Sequence, residues 1–251
     1  MEVKILKYYI DCLEGIDDLD FEADAKGKRP AWIHIKNSKF KARFISIRTN
    51  INSEELYKKF TGNFYYPLEG MSREEERRFY AKYAQYYDQN TAKNNLPMAE
   101  FLLEKLIKYK IPRKSKILDL GAGTGLFSNL AALKGYKNLA LIDRSKEMLK
   151  QARKKPNLKK AQFIVGDVTK IEINDNYDVF VSIMLFDNLN DKELDITLER
   201  LDKKIKKDGY VFLMEDKHRI EYDRHFNRME TGMFEYSKKG SVKYYFIGRK
   251  K

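Results

Sequence analysis

Several features are scarce in this chain. Cys12 is the only cysteine, so no disulfide can form within the chain, and three histidines with one cysteine indicate no transition-metal site. No apolar run approaches the roughly 20 residues that span a bilayer. The first residues, Met1 to Lys7, lack the apolar core of a signal peptide. We therefore expect a cytoplasmic protein without a resident metal.

Length and charge set further bounds. The 251 residues are enough for one domain of about 150–200 residues and a small appendage, and a hydrophobic content of 43% can build a core. The net charge of +13 would draw the protein to polyanions, but a solubilising basic surface explains it equally well.

The most informative segment runs from Ile117 to Phe127. A short apolar stretch containing Asp119 is followed by glycines at every second position, Gly121, Gly123 and Gly125, and then by a helical pattern. Glycines permit tight turns and close approach of the backbone to a ligand, and the following helix offers free N–H groups. A dinucleotide site would need its third glycine at position 126, which is Leu. The spacing therefore favours another nucleotide-like cofactor.

Two further strand ends carry acids. The apolar run Leu139–Ile142 ends in Asp143, whose carboxylate can accept both hydroxyls of a ribose. The run Phe163–Val165 is followed by Gly166 and Asp167. Strand patterns over 177–184 and 210–214 and a hairpin over 232–236 and 242–248 complete an alternating β/α order.

These motifs resemble the class I S-adenosylmethionine-dependent methyltransferases over roughly residues 77–251. The resemblance implies an α/β fold: a seven-stranded, doubly wound, mostly parallel sheet with a C-terminal antiparallel hairpin. It divides the chain into an accessory region, 1–71, and a cofactor-binding domain, 72–251. The accessory region is expected to be a small α+β appendage with a helix over 3–13, strands over 31–35 and 40–47, and a short helix ending at Phe60.

The resemblance also implies S-adenosylmethionine as the cofactor, with Asp167 near the adenine and a tyrosine of an N-terminal lid, Tyr87, over the methionine part. A helix over 72–87 and a second over 98–109 would form this lid region. The residues expected to bind the cofactor are Tyr87, Asp119, Gly121, Ala122, Gly123, Gly125, Asp143, Arg144, Met148, Gly166, Asp167, Val168, Ser182 and Met184.

In this family the segment after the fourth strand, here Ser182 to Asn188, often indicates which kind of acceptor is methylated. It lacks the Asn/Asp-Pro-Pro-aromatic motif of amino methyltransferases and the Pro-Cys motif of cytosine C5 enzymes. Asp187 and His218 follow the fourth and fifth strands and are the candidate catalytic residues. A loose likeness to ribose 2′-O-methyltransferases would instead combine Lys114 or Lys116 with Asp187, Lys217 and Glu235. Tyr222, Phe226 and Met233 are candidate acceptor-pocket residues.

Three functions remain open. The favoured one is methyl transfer to a small-molecule acceptor by direct displacement. The second keeps the enzyme but makes RNA or a protein the acceptor, with residues 1–70 as a docking module whose basic residues include Lys39 and Lys41. The third is a non-catalytic binding subunit with a cofactor fold. No membrane partner is expected, and the oligomeric state stays open.

Overall fold

The structure is a computed structural model. It describes residues 16–22, 32–37, 42–48, 77–78, 80–81, 84–85, 87–216, 219–235 and 242–251. The chain divides into two compact units, Met1–Glu76 and Arg77–Lys251. The predicted helices over 3–13 and up to Phe60 lie outside the described residues, as does most of the predicted helix over 72–87.

The described part of the first unit is a three-stranded antiparallel sheet in the order β1-β2-β3. Its strands are β1 (Ile16–Glu22), β2 (Trp32–Asn37) and β3 (Ala42–Arg48). The strands β2 and β3 match the two predicted from sequence. The strand β1 was missed because four acids in seven residues obscure its apolar positions.

The second unit contains a seven-stranded sheet in the order β6-β5-β4-β7-β8-β10-β9. The first five strands pair in parallel, and β10 pairs antiparallel with both β8 and β9. The strands are β4 (Lys116–Leu120), β5 (Asn138–Asp143), β6 (Gln162–Val165), β7 (Tyr177–Ile183), β8 (Ile205–Glu215), β9 (Phe226–Glu235) and β10 (Val242–Lys250). The helices are α1 (Tyr87–Lys108), α2 (Leu126–Leu133), α3 (Lys146–Arg153), α4 (Asp191–Asp202) and α5 (Glu221–His225). The predicted α/β fold with its C-terminal hairpin is confirmed.

Both faces of the sheet are buried because its central strands are apolar on both sides. On one face, Leu102 and Leu106 of α1 belong to the same buried cluster as Ile117 and Leu141. On the other face, Leu194 of α4 lies in a second cluster. Because β4, β5, β7 and β8 run parallel to one another, the loops that follow them all lie at the carboxyl edge, where open α/β sheets bind ligands.

Three element boundaries differ from the sequence prediction. The helix α1 begins at Tyr87 instead of Met98 and continues through Pro97. The strand β8 begins at Ile205 instead of Tyr210 because Asp208, with a φ of 66°, is accommodated as an irregularity in the pairing with β7. The strand β9 begins at Phe226 instead of Gly232.

Candidate active site

The glycine loop joins β4 to α2 and has the backbone that only glycine adopts readily. Gly121, Gly123 and Gly125 have φ values of 65°, 54° and 73°, all in the left-handed region. A Cβ atom on Gly121 would lie 2.9 Å from Leu185 Cδ1, and one on Gly125 would lie 2.9 Å from Leu141 Cδ2. The loop is therefore packed tightly against these two leucines. A side chain at position 121 or 125 would displace the loop.

The carboxylate of Asp143 ties the end of β5 to this loop. Its Oδ2 accepts a hydrogen bond from the Gly123 N–H at 2.8 Å, and its Oδ1 accepts one from the Ser145 N–H at 2.8 Å. A carboxylate has about four lone-pair sites and can accept several donors at once. A carboxylate in this place, beside the glycine loop, is the acceptor predicted for the two hydroxyls of a ribose.

The acid of the glycine motif, Asp119, lies below the loop. It is 4% exposed, and its Oδ2 accepts a hydrogen bond from Ser128 Oγ of α2 at 2.6 Å. Burial raises the pKa of Asp119 to about 7, against the opposing effect of the Ser128 hydrogen bond. The geometry thus shows Asp119 fastening α2 to β4 beneath the site.

The other residues predicted to bind the cofactor lie in the glycine loop, after β5, after β6 and around the end of β7. Asp167, after β6, accepts hydrogen bonds from the Thr169 N–H at 2.9 Å and Thr169 Oγ1 at 2.7 Å. The Gly166 N–H donates to the Asp143 carbonyl at 3.0 Å, which joins the turns after β5 and β6. The remaining residues are the buried Met148, Val168 and Ser182 and the half-buried Ala122, Arg144 and Met184.

Helix α1 meets the glycine loop at its first turn. Thr124 Oγ1 donates to Asp88 Oδ1, and Lys155 Nζ lies 2.7 Å from Asp88 Oδ2 and 2.8 Å from the Thr124 carbonyl. Tyr87, the predicted lid residue, accepts a hydrogen bond from Asn95 Nδ2 at 3.1 Å. The contacts of Asp88 were not foreseen from the sequence, because Lys155 and Thr124 are far from it along the chain.

The loop after β7 carries a group of buried polar residues at the same edge. Glu215, at the end of β8, accepts hydrogen bonds from the N–H groups of this loop, and Asp187 Oδ2 accepts one from the Asp216 N–H. Asp187 Oδ1 and Tyr222 Oη are buried without a hydrogen-bond partner among the described residues. The sequence predicts Asp187 as a catalytic residue, and the structure places the buried Glu215 beside it at this edge.

Other predicted residues are not brought together. Lys116 begins β4 at the opposite edge of the sheet from Asp187, where it pairs with Asp175, so the ribose 2′-O-methyltransferase set is not assembled. His218 and Lys217 lie outside the described residues. Tyr222 and Phe226 are buried in the core, whereas Met233 is 65% exposed, so these three do not line a common pocket.

The described residues offer neither a site for a metal ion nor a membrane-spanning helix. No group of three or more His, Cys, Asp or Glu side chains among them could hold a metal ion. None of the helices in the described ranges is long and apolar enough to cross a membrane.

Several known proteins that this chain resembles are methyltransferases. Residues 117–209 match the family model described as a methyltransferase domain. The malonyl-[acyl-carrier protein] O-methyltransferase of Bacillus anthracis is 33% identical over 96 residues, which are 38% of this chain and 36% of that protein. The (S)-coclaurine N-methyltransferase of Thalictrum flavum subsp. glaucum is 30% identical over 39% of this chain and 27% of that protein. This chain therefore spans less than half the length of these curated relatives.

The fold has counterparts among solved structures. The N-methyltransferase NodS from Bradyrhizobium japonicum WM9, in complex with S-adenosyl-L-homocysteine, superimposes with a TM-score of 0.54 at 13% sequence identity. The superposition covers 61% of this chain and 85% of that one. Residues 117–209 therefore resemble a methyltransferase domain, and the second unit has the fold of this solved N-methyltransferase.

Proposed function

We propose that this protein transfers a methyl group from S-adenosylmethionine to a small-molecule acceptor by direct displacement. The observation that carries the proposal is the left-handed glycine loop, which the Asp143 carboxylate joins to the end of β5 through the N–H groups of Gly123 and Ser145. When bound, the cofactor supplies a methyl group already activated by its positive sulfur.

In this proposal the residues of the chain bind the cofactor and orient it. The loop Gly121–Gly125 and the N-terminus of α2 form the floor of the cofactor site, and Asp143 and Asp167 receive its adenosine part. Tyr87 and Asp88 at the start of α1 close the site from above. A general base is needed only if the acceptor atom carries a proton in the complex. The predicted catalytic roles of Asp187 and His218 stay predictions.

The small-molecule acceptor is supported by the relatives. Their names describe methyl transfer to a malonyl group on an acyl carrier protein and to coclaurine, so the matched domain serves both O- and N-methyltransferases. With its single cysteine, we expect the protein to act in the cytoplasm.

The distribution of charge weighs against residues 1–70 as an RNA docking module. Residues 1–76 contain 13 Lys and Arg against 14 Asp and Glu, whereas residues 77–251 contain 37 against 23. The excess of positive charge therefore lies in the methyltransferase unit, and the first unit has no net attraction for a polyanion.

The test is calorimetric titration of the full chain with S-adenosylmethionine, followed by transfer of an isotopically labelled methyl group to a panel of amines, carboxylates and thiols. Asp143→Ala should lose about 1–3 kcal/mol of binding free energy, because two ribose hydroxyls lose their acceptor. Asp175→Ala is the matched control, since Asp175 is exposed at the opposite edge of the sheet. Equal affinity in both variants would remove Asp143 from the site, and labelling of RNA but of no small acceptor would favour the second function.

A further inference from the structure

A basic segment lies at one edge of the second unit. Residues 144–160 contain eight Lys and Arg against a single acid, Glu147. They comprise α3, the turn after it and the residues before β6, which is the outermost strand of the sheet. The basic residues are Arg144, Lys146, Lys150, Arg153, Lys154, Lys155, Lys159 and Lys160. Their excess over acids is more than half of the net charge of +13.

The packing of α3 turns most of these cations outward. Met148, Leu149 and Ala152 are buried and form the inner face of the helix. Lys155 is half-buried and pairs with Asp88, but the other cations of the turn and of the outer face form no ion pair with any residue in the described ranges. The exposed cations are Lys146, Lys150, Arg153, Lys154, Lys159 and Lys160.

The lack of ion pairs distinguishes this segment from the basic residues of β8 and β10. On those two strands, four basic residues each pair with an aspartate: Lys206, Lys243, Arg249 and Lys250. On α3, Lys150 has Lys146 four residues before it and Lys154 four residues after it, a spacing at which like charges repel and destabilise a helix. A negatively charged partner would relieve this repulsion.

The chemistry of the segment fits phosphate groups better than a protein partner. The cores of protein interfaces are rich in aromatic and methionine side chains and depleted in lysine. Residues 144–160, all of which the structure describes, expose no large hydrophobic side chain. Lys and Arg side chains are typical contacts for the phosphates of nucleic acids. Lys146 and Lys150 are separated by about 6 Å along the helix axis, so they can contact different phosphates.

Arg153 adds a planar group to the surface. Its guanidinium carbon lies 4.9 Å from the centre of the Phe163 ring on β6. Phe163 is half-buried and Arg153 is exposed, so the guanidinium lies between a protein ring and solvent. Unpaired bases of RNA stack on aromatic rings and on arginine guanidinium planes. Because the bases of a duplex are already stacked, this contact favours a single strand.

We propose that residues 144–160 form a binding surface for single-stranded RNA. The exposed lysines of the segment contact phosphates, and Arg153 stacks on a base. The segment begins directly after Asp143, so the RNA would lie beside the predicted adenosine end of the cofactor site. This binding goes beyond methyl transfer and does not depend on which acceptor is methylated.

The experiment measures the fluorescence anisotropy of a labelled oligouridylate as the full chain is added, at salt concentrations between about 50 mM and 200 mM. The probe contains no adenine, so it does not imitate the adenosine of the cofactor. The logarithm of the affinity should fall linearly with the logarithm of the salt concentration, by about 0.7 for each phosphate contacted. Contacts from five lysines predict a slope of about −3.5.

A double variant of α3 tests whether the binding is local. Lys146→Gln with Lys150→Gln should flatten the slope by about 1.4 and weaken binding at least tenfold near about 0.1 M salt. Lys192→Gln with Lys207→Gln is the matched control. It removes the same charge from exposed positions on β8 and on α4, which packs on the opposite face of the sheet from α3. Its affinity should stay within about twofold of the wild type, because charges farther away than about 10 Å are largely screened at this salt concentration.

Arg153→Lys tests the stacking contact. Lysine keeps the positive charge but has no plane, so the affinity for oligouridylate should fall about fivefold while the slope with salt stays the same. The affinity for duplex DNA of the same length should not change in this variant, because its bases are not available for stacking.

Three results would overturn the proposal. Equal losses in the two double variants would mean that only the total charge attracts RNA. A wild-type affinity for polyglutamate as high as that for oligouridylate would indicate an acidic protein as the partner. An unchanged affinity for oligouridylate in Arg153→Lys, together with tighter binding of duplex DNA by the wild type, would exclude a single-strand site. Cofactor binding is not part of any of these measurements, so a failure of the proposed function leaves their outcome unaffected.

Discussion

Asp88 and Lys155 join the first turn of α1 to the segment after α3, with 2.7 Å between Asp88 Oδ2 and Lys155 Nζ. The same ammonium donates to the Thr124 carbonyl at 2.8 Å, so one lysine holds both the helix that carries Tyr87 and the glycine loop. The side chain of Lys155 is 19% exposed and that of Asp88 is 46% exposed, so solvent partly screens this ion pair on the side of the carboxylate.

Lys155→Met should therefore weaken cofactor binding more than it weakens the fold. We expect a loss of about 1 kcal/mol, or roughly fivefold in affinity for S-adenosylhomocysteine, because Asp88 loses a charged partner and α1 is held less firmly. Calorimetry on the full chain measures this. Lys154→Met is the control, since Lys154 is exposed and next in sequence. Equal affinities for the two variants would show that the contact does not close the site.

Gly125 combines a left-handed backbone with a lack of space. Gly125→Ala should destabilise the protein by about 2–5 kcal/mol, because the left-handed conformation costs about 1–2 kcal/mol and overpacking against Leu141 and Leu158 adds about 1–3 kcal/mol. Gly135→Ala is a matched control: Gly135 has a φ of 91°, but the nearest atom to an added Cβ lies 3.9 Å away. Chemical denaturation should show the larger loss at position 125, and equal losses would mean that only the backbone conformation matters.

The cofactor side of this molecule could be predicted from sequence because it depends on local patterns. The spacing of Gly121, Gly123 and Gly125 and the acid at the end of β5 lie within short segments whose chemistry is specific. The polar contacts of the site could not be predicted in the same way. The network of Glu215 depends on β7 and β8 being neighbours, and that of Lys155 depends on where α1 packs, so both require tertiary structure.

The starts of two elements, α1 and β9, were predicted wrongly for a related reason, because tertiary packing outweighs the local sequence pattern. The sequence predicted a helix start at Met98, but α1 begins at Tyr87 and continues through Pro97 because the packing of its apolar face outweighs the local cost of proline. The strand β9 begins with Phe226, Asn227 and Arg228, whose pattern gives little strand signal, and only pairing with β10 defines it.

Glu230, on β9, is the centre of a cluster that fastens α1 to the hairpin. It pairs with Lys105 and with Lys108 at 3.1 Å, and it accepts hydrogen bonds from Tyr245 Oη at 3.0 Å and Tyr109 Oη at 3.1 Å. Burial alone would raise the pKa of Glu230, but these donors lower it to about 2.

Glu230→Gln should lower the free energy of unfolding by about 1–2 kcal/mol at pH 7, because hydrogen bonds to a charged acceptor are lost. The folded pKa lies below the unfolded value near 4.5, so this contribution is present above pH 4.5 and disappears as pH falls towards 2. Denaturation at several pH values should show the difference between wild type and variant shrinking with acid. A constant difference would mean that the charge of Glu230 contributes nothing. Glu104→Gln, an exposed site on α1, is the control.

Arg200, on α4, holds the chain that follows Asp167. Its guanidinium donates to the carbonyls of Thr169 and Ile171, so one planar fork fixes both ends of a short stretch of backbone. Thr169 in turn donates twice to Asp167. The orientation of the predicted adenine-side acid therefore depends on a residue that the cofactor itself would not touch.

Arg200→Lys should weaken S-adenosylhomocysteine binding by about 1–2 kcal/mol, because a lysine cannot donate to both carbonyls in the same geometry and leaves one of them without its partner. The affinity for isolated methionine-like fragments should not change, since the effect acts on the adenosine side. The control is Lys203→Arg, at an exposed position three residues further along, where Lys203 pairs with Glu199. Calorimetric titration with S-adenosylhomocysteine and with adenosine should show the same loss for Arg200→Lys. A loss confined to S-adenosylhomocysteine would place the effect of Arg200 elsewhere in the site.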